Sequence, residues 1–76
     1  MPKLRIKRFY YRNGRIHTER REMAGNLHGA YRVWHRNGRL AEELRYRDGL
    51  MHGVSREWDE KGRLLGSFTK IGRAHV

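Results

Sequence analysis

No cysteine occurs among the 76 residues, and proline occurs once. Without thiols, neither a disulfide framework nor a thiolate metal site can supplement the small core that a chain of this length buries. No apolar stretch is long enough to span a membrane or to serve as a secretory signal, so a cytoplasmic setting is expected. Acidic residues are scarce too: 8 Asp+Glu stand against 18 Lys+Arg, a formal net charge of +10. Such a surplus favours polyanions such as nucleic acid, anionic lipid or an acidic protein. Fourteen of the cations are arginine, which adds planar, bidentate hydrogen bonding and stacking. Charge alone does not choose among these partners.

A catalytic constellation is also missing. No Ser/His/Asp set stands out, and Glu42 and Glu43 point to opposite faces of a strand, so they do not form a close acid–base pair. His28 and His52 lack a Cys or acidic companion at ligand spacing, which argues against a metal site. The glycine-rich loops precede no helix and supply turns rather than phosphate binding. The chain is therefore expected to be no enzyme and to need no cofactor.

What is present is a repeat. Shifted by 24 residues, Asn13-Gly14-Arg15 falls on Asn37-Gly38-Arg39 and then on Lys61-Gly62-Arg63. Tyr10 falls on Trp34 and Trp58, Arg8 on Arg32 and Arg56, and Leu27-His28-Gly29 on Met51-His52-Gly53. A fixed period of this length marks an architecture in which each unit touches only its neighbours. Between the nine glycines the sequence alternates with period two rather than 3.6, so each unit reads as two strands. The units are expected at about 5–23, 29–47 and 53–70, giving an all-β antiparallel meander of hairpins in an elongated, twisted single-layer sheet of about six strands.

Loop length follows from register. A two-residue Asn37-Gly38 turn would pair Arg36 with Arg39 and turn Leu40 away from Trp34. A three-residue loop, Arg36-Asn37-Gly38, pairs Trp34 with Leu40 instead, with Gly38 in the left-handed conformation. Continued without interruption, that register pairs Arg32 with Glu42 and Ala30 with Leu44. It gives Arg8 and Arg56 the partners Thr18 and Gly66, which carry no charge. One face would then hold Ile6, Arg8, Tyr10, Ile16, Ala30, Arg32, Trp34, Leu40, Glu42, Leu44, Tyr46, Val54, Arg56, Trp58, Leu64 and Phe68. Glu19, Arg21, Glu43 and Arg45 would lie on the solvated face, where Phe9, Tyr11, Tyr31 and Val33 are apolar exceptions. Nothing in the chain is left to cover the aromatic face, and an open face of that kind serves interaction.

The block Trp34-His35-Arg36-Asn37-Gly38-Arg39-Leu40 and the stretch Tyr46-Arg47-Asp48-Gly49-Leu50-Met51-His52-Gly53 resemble MORN-type repeats, in the bacterial variant form of toxin–antitoxin antitoxins. The likeness covers about residues 6–70. It implies consecutive hairpins, no enzymatic activity, and binding of a protein or a membrane. Glu22 stands where the second unit has Tyr46, and Glu60-Lys61 occupies the third turn, so those units depart from the pattern. The expected partner-binding residues are Arg8, Tyr10, Arg32, Trp34, Tyr46, Arg56 and Trp58. Asn13, Gly14, Gly25, Gly29, Asn37, Gly38, Gly49, Gly53 and Gly62 are expected to shape turns. The foremost expected partner is a protein, an acidic surface or a toxin. Single-stranded nucleic acid is the alternative, and an anionic membrane surface the weaker one. Residues 71–76 resemble the translation of a sequencing adapter and are expected to be a non-native tail.

Overall fold

The computed structural model describes residues 3–70; the tail expected at 71–76 lies outside them. The described chain is all-β. Its strands are β1 (Leu4–Tyr10), β2 (Ile16–Met23), β3 (Asn26–Trp34), β4 (Leu40–Arg47), β5 (Leu50–Met51), β6 (Gly53–Trp58) and β7 (Leu64–Lys70). They form one open antiparallel meander in the order β1-β2-β3-β4-β6-β7, with the short β5 paired to β4. The expected hairpin meander is what the chain forms. The seventh strand arises because the path equivalent to β3 is interrupted at His52, whose N–H donates to the Arg45 carbonyl at 2.8 Å. No helix long and apolar enough to cross a membrane occurs among the described residues.

Extents of 36 × 29 × 13 Å describe a single layer. Among the described residues only Ala41, Thr18 and Ser55 are buried, and no large side chain is fully so. Cohesion therefore comes from strand ladders and cross-strand side-chain pairs rather than from a core.

Turn chemistry differs between the two edges. Along one edge run three-residue loops: His35 N–H donates to Arg39 O at 2.8 Å and Gly38 N–H to His35 O at 3.0 Å, with Gly38 at φ +93°. Asn37 Oδ1 accepts the Arg39 N–H at 2.9 Å, as Asn13 does for Arg15. In the third loop Lys61 replaces Asn, and Asp59 Oδ1 accepts the N–H groups of Lys61 and Arg63 instead, both at 2.9 Å. The other edge holds two-residue turns, Ala24-Gly25 (φ 53° and 84°) and Asp48-Gly49 (φ 51° and 85°). Two consecutive positive φ values match the twist of the flanking strands. The second unit, expected from about 29, starts earlier because the turn is tighter, and β3 begins at Asn26.

The main correction concerns register. Trp34 pairs with Leu40 as argued, but Val33 then pairs with Glu42, so Ala41 is an extra residue. His17 and Leu65 are the extra residues of the other two hairpins. Each bulge shifts everything beyond it by one, and in a sheet a shift of one changes the face. Arg32 therefore faces Glu43 rather than Glu42, and Ala30 faces Arg45 rather than Leu44. Glu42, Leu44, Tyr46 and Phe68 leave the face assigned to them, and Glu19, Arg21, Glu43 and Arg45 join it. Three of the apolar exceptions gain apolar company: Phe9, Tyr31 and Val33 share their face with Leu44, Tyr46 and Phe68. Tyr31 and Tyr46 have ring centroids 5.8 Å apart.

Candidate functional site

Tyr10, Trp34 and Trp58 end β1, β3 and β6 and pair with Ile16, Leu40 and Leu64 respectively. These are alternate strands, so the rings repeat at about 10 Å on one side of the sheet. Tyr10, on the edge strand, is 61% exposed, and both tryptophans are half-buried. Trp58 borders one depression with Arg39, Leu40 and Gly62, so the apolar residue of one hairpin shelters the ring of the next.

The spacing is fixed by bonds between successive turns. Tyr11 Oη donates to the Trp34 carbonyl at 2.7 Å, and the equivalent His35 Nε2 donates to the Trp58 carbonyl at 2.9 Å. Asn37 Nδ2 donates to Glu60 O at 2.8 Å, and Arg39 Nη1 donates to Lys61 O. Each loop is thus fastened to its neighbour, which holds the rings in line.

Beside the rings, a row of charges crosses the sheet: Arg8, Glu19, Arg32, Glu43 and Arg56. Arg8 Nε donates to Glu19 Oε2 at 2.7 Å, and Arg32 Nε to Glu43 Oε2 at 2.8 Å. Arg32 Nη1 also lies 3.7 Å from Glu19 Oε1. The expectation that Arg8 lacks a carboxylate is therefore corrected, since its partner is Glu19 rather than Thr18. Arg56 faces Glu43 and Ser67, is exposed, and forms no ion pair among the described residues. Of the seven candidate binding residues, the structure brings Arg8, Tyr10, Arg32, Trp34, Arg56 and Trp58 together and places Tyr46 on the opposite face.

Sequence reasoning missed Glu19 and Glu43. Both follow their arginine by eleven residues, one more than an uninterrupted hairpin allows, and that recurring interval was the available signal. All seven glycines assigned to turns have positive φ, although Gly29 and Gly53 lie within strands. Asp59 is held below its ordinary pKa of 3.8, chiefly by the Arg63 backbone N–H, and further by the Arg63 side chain and the Lys61 N–H. Among the described residues, no group of three or more His, Cys, Asp or Glu could hold a metal ion.

Compared with protein-family models, curated proteins and solved structures, the chain matches none.

Proposed function

We propose that this chain is a non-enzymatic repeat module that binds a partner protein through the face carrying Tyr10, Trp34 and Trp58, a reading that its resemblance to MORN-type repeats supports. The row of rings carries this reading. Trp, Tyr and Arg dominate binding hot spots, and here three rings stand on one uncovered side with an uncompensated Arg56 beside them. Arg8 and Arg32, already bonded to glutamates, orient the surface, and Arg56 meets an acidic group on the partner. Co-purification with the product of the adjacent gene, using wild-type protein and the variants Tyr10→Ala and Arg56→Ala, tests it. The expected result is a stoichiometric complex weakened at least about tenfold by either change. A neighbouring protein that never co-purifies, or binds both variants as well as wild type, removes the proposal.

A second reading, single-stranded nucleic acid, draws on the opposite face. Lys3, Arg5 and Lys7 border a depression of about 350 Å³ along β1, and the Arg20 guanidinium lies 5.2 Å from the centre of the adjacent Phe9 ring. Cations tracking a backbone beside a stacking platform suit a single strand. Titration with labelled RNA and DNA decides it: affinity must fall steeply with salt, and affinity indifferent to salt excludes this mode.

A further inference from the structure

Glu42 on β4 lies directly opposite Glu57 on β6, a like-charge pair on the face away from the tryptophans. Like charges so placed destabilise a sheet. The other strand glutamates are compensated: Glu19 by Arg8 and Arg32, Glu22 by Lys7 and Arg20, and Glu43 by Arg32. Glu42 and Glu57 have no cation among the described residues, in a chain whose net charge is +10. They border a depression of about 290 Å³ with Leu44, Ser55 and Phe68, and Arg56 at its margin pairs with neither. Ser55 is 2% exposed, and its hydroxyl has no hydrogen-bond partner among the described residues. Phe68 is 54% exposed.

We infer that this depression receives an arginine side chain of a partner polypeptide. Two carboxylates on neighbouring strands and one hydroxyl offer acceptors to the planar fork of a guanidinium. Leu44 and the Phe68 ring receive its stem and its flat face, which suits arginine better than lysine. The occupant is singled out by charge: the site is anionic on a chain that is otherwise strongly cationic. The site lies on the other side of the sheet from the ring row and does not depend on that reading.

The test titrates a blocked Gly-Arg-Gly peptide into isotopically labelled full-length protein and follows the backbone amide resonances. Blocked peptides with lysine or the neutral citrulline in place of arginine serve as controls. Shifts are expected at Glu42, Ser55, Glu57 and Phe68, with affinity for arginine above lysine and none for citrulline. Glu42→Gln combined with Glu57→Gln should weaken binding at least fivefold while raising the thermal midpoint, since it removes a repulsion; Ser55→Ala should weaken it less. Trp34→Ala should leave this binding unchanged, which separates the site from the ring face. Equal response to citrulline, shifts confined to other residues, or full binding by the double variant overturns the inference. So does calcium producing the same shifts more strongly than the peptide, or self-association abolished by the double variant, which would make the occupant a metal ion or a second copy.

Discussion

Arg32 joins two glutamates at once, donating from Nε to Glu43 Oε2 at 2.8 Å while Nη1 stands 3.7 Å from Glu19 Oε1. Its side chain is 30% exposed and that of Glu43 20%, so the pair is shielded better than a surface ion pair and less than a buried one. Glu43→Gln is expected to cost about 0.5–1.5 kcal/mol, measured by urea denaturation. A double-mutant cycle with Arg32→Gln should return a coupling of about 0.2–1 kcal/mol that shrinks in high salt. Zero coupling at low salt would mean that the row is not energetically connected.

Ala41 and Leu65 occupy the same bulge position in successive hairpins, yet Ala41 is 8% exposed and Leu65 61%. The middle hairpin has neighbours on both sides, while β7 is the last strand of the described sheet. Enlarging the enclosed position should overpack it. Ala41→Leu is expected to destabilise by about 1–3 kcal/mol, and Leu65→Ala by less than about 0.5 kcal/mol. Equal effects in thermal denaturation would contradict the difference in enclosure.

Those bulges also set what the sequence could disclose. The 24-residue period, the alternation and the charge clash flanking a two-residue turn sufficed for the hairpins, the three-residue loops and the pairings of Tyr10, Trp34 and Trp58. These features are local, each decided within a few residues of the loop. The extra residues His17, Ala41 and Leu65 share no chemistry, and their one trace in the sequence is the eleven-residue interval from Arg8 to Glu19 and from Arg32 to Glu43. The faces beyond it were therefore mirrored, and Glu19, Glu43 and Tyr46 were assigned to the wrong sides. The Glu42–Glu57 apposition is hidden for a related reason: it depends on how β4 meets β6 across units, which the loop within a unit does not fix.

Gly38 and Gly62 are equivalent loop residues at φ +93° and +88°, but their surroundings differ. A Cβ on Gly62 would lie 2.7 Å from Arg39 Nη1, and one on Gly38 would lie 3.1 Å from Arg15 Nη1. Both arginine tips can swing aside, so the positive φ dominates the cost, about 1 kcal/mol for either Ala variant. Gly62→Ala should in addition displace Arg39 from the Lys61 carbonyl and so loosen the second loop from the third. Faster amide exchange in the third loop of Gly62→Ala, without a matching change in Gly38→Ala, is the expected result. Identical exchange in the two variants would show that the arginine does not fasten the loops.

Asp59 gives the third loop a dependence on pH. Its Oδ1 accepts the Lys61 and Arg63 N–H groups and its Oδ2 accepts Arg63 Nε, all at 2.9 Å. These donors favour the carboxylate and hold the folded pKa below 3.8. The unfolded chain then takes up the proton first. The stabilisation is present above the ordinary value, and it fades as pH falls through the lower folded value. Asn13 and Asn37 serve the equivalent loops with an amide oxygen, so Asp59→Asn should retain the turn while removing the titration. The advantage of wild type over Asp59→Asn should accordingly be constant near neutrality and narrow in acid. Carboxyl carbon resonances in the folded protein should titrate with a midpoint below 3.8. A midpoint at or above that value, or an advantage that does not change with pH, would show that the Arg63 bonds do not bias the ionisation of Asp59.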